Sequence, residues 1–168
     1  MASFEGENIW TAASDGDLER VQYLLEKECV NVNAQDEHGY SPIHAAASHG
    51  QLGLLEFLLG KGASVTLRDE DGDTPLLVCD DSACFELLEK HGADVEAKNS
   101  DGKGVVDRAL DFFEEDNEDM ITLLKQRGLI PEDFERTVQE MAEQLQLHGI
   151  KIMSDENMAE EDENEEAN

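Results

Sequence analysis

Gly39-Tyr40-Ser41-Pro42-Ile43-His44 returns as Gly72-Asp73-Thr74-Pro75-Leu76-Leu77, thirty-three residues further along the chain. The first copy runs on through Ala45-Ala46-Ala47-Ser48-His49-Gly50, then the apolar series Leu52, Leu54, Leu55, Phe57, Leu58 and Leu59, then Lys61-Gly62-Ala63. Ser41 and Thr74 each precede a proline, and a hydroxyl there caps a helix whose first residue is Pro42 or Pro75. Gly39 and Gly72 suit turn positions of positive φ. Small Ala45, Ala46 and Ala47 let the helix lie close to a neighbour, and Gly50 can end it in the left-handed conformation. Leu54, Leu55, Leu58 and Leu59 follow at helical spacing, for a second helix that Gly62 stops. Two helices this short cannot bury their apolar faces alone, so they must stack on copies of themselves.

These residues resemble the ankyrin repeat, with its period of about 33 residues and its Gly-x-Thr-Pro-Leu-His start. Gly39 to His44 follow that start with Ser for Thr and Ile for Leu, and Gly72 to Leu76 match it outright. Gly62-Ala63 and His91-Gly92-Ala93-Asp94-Val95 match the segment that ends the family's second helix. The resemblance implies an all-α solenoid of about four helix-turn-helix units over residues 1–130, with repeats near 7–35, 36–68, 69–98 and 99–130. It also implies a protein-binding module whose turn tips and inner helix ends form a concave surface.

The units are not equal. In the first, Asn8 to Gly16 align on Pro42 to Gly50 and Asp17 to Leu25 on Gln51 to Leu59, so Trp10 stands where His44 stands. A ring at that place can cover apolar surface that no earlier repeat would cover. The third unit is three residues short, and Val78 to Cys84 replace the Ala-rich helix end and its Gly turn. The expectation is two helices meeting through a tighter corner. In the fourth, Gly104-Val105 replaces Thr-Pro, and the acidic connection Glu114 to Asp119 precedes a helix at Met120 to Leu124. From Pro131 the period changes. Pro131-Glu132-Asp133 makes a good first turn, Phe134, Val138, Met141 and Leu145 share one face, and Gly149 can end a helix over 131–149. That helix is expected to cap the array. Residues 150–168 are expected to form an acidic disordered tail, with eight Asp or Glu in the fifteen residues from Ser154 and no Lys or Arg among them.

Charge narrows the function. The 168 residues carry 41 Asp or Glu against 12 Lys or Arg, a formal net charge of -29. Such a surface repels nucleic acid and anionic membrane and favours a basic protein partner. No apolar run approaches the length of a membrane span, and Met1 to Asn8 lack the basic and apolar regions of a secretory signal, so a cytoplasmic and nuclear monomer is expected. Cys29, Cys79 and Cys84 are odd in number and lack ligand-like spacing with histidines, which indicates neither a disulfide framework nor a zinc site. The chain carries no phosphate-binding Gly-rich loop, nucleophile elbow or metalloprotease motif, so no catalytic residue, cofactor or metal is assigned. His44 belongs to the repeat start and is expected to hydrogen-bond nearby backbone. Asp36, Asp69 and Asp101 are read as local backbone partners near the turns.

Carried onto this chain, the family's concave surface puts Glu37, His38, Tyr40, Glu70, Asp71, Asp73 and Asp101 at the tips. Asp15, His49, Asp80 and Asp81 fall at the inner helix ends. The strip is mostly negative from the second repeat onward, and like charges held together cost self-repulsion unless a partner offsets it. The expected function is that of an acidic escort, or chaperone, for a basic client such as a ribosomal or histone-like protein. Two alternatives stand beside it. One is a regulatory or targeting subunit of a Ser/Thr phosphatase, although Lys151-Ile152-Met153 lacks the aromatic of a basic-Val-x-Phe docking segment. The other is a plain adaptor.

Overall fold

The computed structural model describes residues 8–111 and 118–131. Packing groups Met1–Leu129 into one unit and Ile130–Asn168 into another, of which only Ile130 and Pro131 are described. The expected capping helix beyond Pro131, the tail over 150–168 and most of the acidic connection in the fourth unit lie outside the described residues.

The described part is all-α, with no strand among the described residues. In chain order the helices are α1 (Ile9–Ser14), α2 (Leu18–Glu26), α3 (Pro42–Ser48), α4 (Leu52–Gly60), α5 (Ser82–Lys90), α6 (Val105–Asp111) and α7 (Glu118–Gln126). The inner helices α1 and α3 pack side by side, the outer helices α2 and α4 do the same, and each inner helix packs on the outer helix of its own repeat. The array continues through α4 against α5, α5 against α7, and α6 against α7.

Residue choice explains both starts and packing. The α1 start is capped by Asn8 Oδ1, which accepts from Thr11 N at 2.9 Å; Asp17 caps α2 through Arg20 N at 2.9 Å, and Asp81 caps α5 through Cys84 N at 2.8 Å. Ala12, Ala13, Ala45, Ala46 and Ala47 are fully buried, as the close approach of α1 to α3 requires. Outside them sit Val21, Leu55, Leu58, Phe85, Leu88 and Leu124, each almost wholly removed from water. Each large apolar side chain buried this way stabilises the fold by roughly 1.5–3 kcal/mol.

The loops between repeats are built on one recurrent device. Asp36 Oδ1 accepts from His38 N and Tyr40 N, Asp69 Oδ1 from Asp71 N and Asp73 N, and Asn99 Oδ1 from Asp101 N and Lys103 N. The third of these roles therefore belongs to Asn99 and not to Asp101, which lies two residues on and supplies only its amide. Gly39 and Gly72 sit in these turns at φ +74° and +80°. A Cβ at Gly72 would fall 2.6 Å from Ser100 Oγ, and one at Gly39 3.1 Å from Asp69 Cα, so neighbouring turns touch there. Main-chain bonds tie the tips together: Glu70 N donates to His38 O at 2.7 Å, and Ser100 N to Asp71 O at 2.9 Å. Behind the tips, Gln35 bridges Gly39 O and Arg68 O, and Arg68 repeats the bridge from Gly72 O to Lys98 O. Asn33 joins the first repeat to the end of the second, donating to Gly62 O at 3.2 Å and accepting from Ser64 N at 2.8 Å.

The third repeat departs from the expected helix pair. Residues 75–78 form a single turn, closed by Leu77 N and Val78 N on Thr74 O at 2.9 and 3.3 Å, and no α-helix begins at Pro75. The missing residues explain this. Only Cys79 and Asp80 separate the turn from Asp81, whose extended backbone (φ -98°, ψ 127°) is committed to capping α5. No length remains in which a helix could propagate.

Candidate protein-interaction surface

In α3, Ser41 and His44 close a capping box, with Ser41 Oγ 2.6 Å from His44 Nδ1 and Ser41 N donating to the same nitrogen at 3.3 Å. The other ring nitrogen, Nε2, lies 3.1 Å from Asp73 O in the next repeat. A carbonyl only accepts, so Nε2 carries the proton and Nδ1 is the acceptor. Burial holds the His44 pKa below its ordinary 6.5, against the raising effect of Asp73 O. This histidine is neutral, wholly buried and structural.

The tips come next. Glu37, His38, Glu70, Asp71 and Asp101 are all exposed. His38 Nδ1 lies 2.8 Å from Glu70 Oε1, and its Nε2 lies 3.8 Å from Glu37 Oε1. Contacts this exposed contribute little to stability and leave the carboxylates open to a cation from a partner.

Tyr40 is half-buried, its hydroxyl 2.8 Å from Ser48 Oγ and its ring centroid 5.3 Å from that of His44. Burial raises its phenol pKa, the Ser48 hydrogen bond lowers it, and the charges of Asp69, Asp36 and Asp80 raise it further.

At the inner helix ends, Asp15, His49, Asp80 and Asp81 are exposed. His49 Nδ1 meets Ala45 O at 3.1 Å and Ser48 Oγ at 2.9 Å. Asp81 spends one carboxylate oxygen on the α5 cap. The Asp80 carboxyl is pushed up by desolvation, partly opposed by the charge of Arg108.

Asp73 stands apart from the strip assigned to it. It is only 6% exposed, one carboxylate oxygen lacks a hydrogen-bond partner, and burial raises its pKa while an Asn99 hydrogen bond and Arg108 lower it. Its carboxylate faces the fourth repeat's turn and not a partner. The reason lies in the turn, where Asp73 follows Gly72 with its amide bound to Asp69 Oδ1 at 2.8 Å. Tyr40 holds the same place in the second repeat, where its longer side chain reaches Ser48 and the His44 ring.

Sequence reasoning passed over Arg108, whose Nε donates to Leu77 O at 3.2 Å and whose charge reaches both Asp73 and Asp80. Its place in a unit without the Thr-Pro start gave no signal. An open concavity of about 400 Å³ between residues 95–98 and α6, with Val95, Ala97, Val105 and Leu129 on its walls, was likewise unassigned. Among the described residues, no three His, Cys, Asp or Glu side chains are grouped to hold a metal ion. Among the same residues, no helix is long and apolar enough to cross a membrane.

Stacked pairs of short helices, joined by turns whose tips are laced by main-chain bonds, define a repeat protein built for contact with other proteins. The family model described as ankyrin repeats (3 copies) matches residues 9–99, and the chain belongs to the ankyrin-repeat family. An ankyrin repeat-containing protein of Schizosaccharomyces pombe is 45% identical over 96 residues, covering 56% of this chain and 46% of that protein. The mouse protein phosphatase 1 regulatory subunit 27 is 33% identical over 113 residues, covering 66% of this chain and 71% of its own length. The human BCL-6 corepressor-like protein 1 is 37% identical over 86 residues, 49% of this chain but 5% of that protein. The chain thus spans less than half the length of the fission yeast relative and a small part of the human one.

Proposed function

We propose that this ankyrin-repeat chain is a non-enzymatic escort for a basic protein, such as a ribosomal or histone-like chain, held through exposed carboxylates at the tips and inner helix ends. The observation that carries the reading is the exposure, in successive repeats, of Asp15, Glu37, Glu70, Asp71, Asp80 and Asp101. The charges of Asp69, Asp36 and Asp80 all act on Tyr40, which supports a surface shared by tip and inner end. Residues 1–130 hold twenty-eight acidic against ten basic side chains, and residues 131–168 hold thirteen against two, so the segment after the repeats adds to the same field. Such an escort works in the cytoplasm and nucleus, where basic clients are made and used. A second reading, a regulatory subunit of a Ser/Thr phosphatase, is favoured by the likeness to the mouse phosphatase 1 subunit along most of that protein's length.

Capture of partners from cell extract at low and at high salt, read by mass spectrometry, separates the two. Lys-rich chains retained at low salt and lost at high salt support the escort, because exposed charge pairs are screened. Recovery of a phosphatase catalytic subunit supports the regulator. Enrichment of neither leaves an adaptor whose acidity serves solubility.

A further inference from the structure

The large apolar side chains left exposed among the described residues, Leu18 at 41%, Tyr23 at 42% and Leu52 at 38%, all stand on the outer helices α2 and α4. Leu18 and Leu52 each open their helix, directly after Asp17 and Gln51 at the caps. What surrounds that leucine differs between the two. On its outward face α2 carries Glu19, Gln22 and Glu26, all exposed. The α4 helix reads Leu52-Gly53-Leu54-Leu55-Glu56-Phe57-Leu58-Leu59-Gly60, and Glu56 is its one polar side chain. Leu54, Leu55 and Leu58 are buried in the stack, which leaves Gly53, Glu56 and Gly60 exposed along an outward crest. At 3.6 residues per turn, Leu52 and Leu59 flank that crest on one side and Phe57 on the other. A Cβ at Gly53 or Gly60 would meet nothing within 4 Å, so open space lies over the α4 backbone. Glycine weakens a helix, and a helix apolar on every side is one that other structure covers.

We propose that the outward face of α4 docks a cationic amphipathic helix of a partner protein. Charge decides between occupants. The chain carries a formal net charge of -29, so a second copy or an acidic helix approaches against repulsion, while a helix rich in Lys or Arg is drawn in. The helices packed beside α4 repeat the sign, with Glu19 and Glu26 on α2 and Glu86 and Glu89 on α5. Cations of the chain itself already settle on this side of the array. Lys61 Nζ lies 2.8 Å from Glu26 Oε1 and 5.2 Å from the centre of the Phe57 ring, and Arg127 Nη2 lies 2.8 Å from Glu89 Oε2. A partner helix laid along α4 sets its apolar stripe between Leu52 and Phe57, close over the two glycines, and its lysines or arginines reach Glu56 and the flanking carboxylates. This face is separate from the tips and inner helix ends, so its occupant does not depend on the acidic strip.

The test uses the full chain and labelled synthetic peptides, read by fluorescence anisotropy. One peptide is built of Leu and Lys with leucines at three- and four-residue spacing, one is a scrambled version of the same composition, and one keeps the stripe with Glu in place of every Lys. The striped cationic peptide should bind about tenfold more tightly than the other two, or better. Gly53→Gln with Gly60→Gln should remove that advantage and leave the scrambled peptide bound as before. The same variant should melt at a higher temperature, since glutamine favours a helix more than glycine does, so the loss is not unfolding. Glu70→Ser with Asp71→Ser reads the acidic strip separately and should leave the preference for the stripe in place, whether or not it weakens the scrambled peptide. The proposal is overturned if the glycine variant keeps the full preference, or if the scrambled or anionic peptide binds as tightly as the striped cationic one. It is overturned equally if the wild-type chain forms a dimer that the glycine variant loses, which would make a second copy the occupant.

Discussion

Trp10 and His44 make the same bond one repeat apart. The Trp10 indole Nε1 donates to Tyr40 O at 2.8 Å, and His44 Nε2 donates to Asp73 O at 3.1 Å, with Tyr40 and Asp73 each following its turn glycine. The first repeat has Trp10 where the second has His44, and the larger ring keeps the link to the neighbouring repeat. Trp10→Phe keeps most of the apolar ring and removes the donor. It should lower stability by about 1 kcal/mol, seen in urea unfolding as a lower midpoint at unchanged slope.

His44→Leu should cost more, about 2–3 kcal/mol, because it takes the ring nitrogen from Ser41 Oγ and Ser41 N and removes one of two donors from Asp73 O, which keeps Asp69 N. The difference should depend on pH. A base whose folded pKa lies below its unfolded value gives its full stability above the unfolded value, here 6.5, and loses it as pH falls toward the folded value. The gap between wild type and His44→Leu should therefore be widest at neutral pH and shrink below 6.5. Urea melts of both proteins across that range measure it, and a constant gap would mean that His44 is not neutral in the fold.

Leu77 occupies His44's place in the third repeat, and Thr74 Oγ1 is buried there without a hydrogen-bond partner. Leu77→His should supply one through Nδ1 and reach Lys103 O, the equivalent of Asp73 O, through Nε2. The expected gain is about 0.5–1 kcal/mol, read as a higher melting temperature. A lower one would mean that the single turn at residues 75–78 cannot hold the ring in the second repeat's geometry.

Exposure divides the acidic residues into two kinds with opposite expected behaviour. Glu70→Ser with Asp71→Ser removes two exposed carboxylates and should weaken binding of a Lys-rich peptide several-fold at low salt, with little change in melting temperature. Asp73→Asn should leave that affinity nearly unchanged. Because burial raises the Asp73 pKa, its charge opposes folding at neutral pH, so the amide should also raise the melting temperature. Titration of the peptide by calorimetry at two salt concentrations checks both. Equal loss of affinity in the two variants would remove the distinction.

Much of this fold is legible in the chain because the second repeat states its structure locally. Ser41-Pro42 announces a helix start, three alanines announce close packing, and a glycine follows each helix. What sequence reading missed depends on what lies opposite. Asp73 looks like the other tip residues until the fourth repeat's turn is packed over it. Asn99 takes the role expected of Asp101 because a turn selects the side chain two and four residues before the amides it caps, and an amide oxygen serves as well as a carboxylate oxygen. The missing inner helix follows from a deletion whose length was visible, although how the chain would absorb it was not. It gave up helical turns to preserve the Asp81 cap and the burial of Phe85 and Leu88.

The bonds from Glu70 N to His38 O and from Ser100 N to Asp71 O use no side chain at all. The interval from one tip to the next is therefore indifferent to the side chain at 38, 70, 71 or 100, proline at the donor positions 70 and 100 excepted. Mutation can rewrite the message displayed on each finger without altering the spacing of the hand, so new binding preferences remain accessible to this scaffold one substitution at a time.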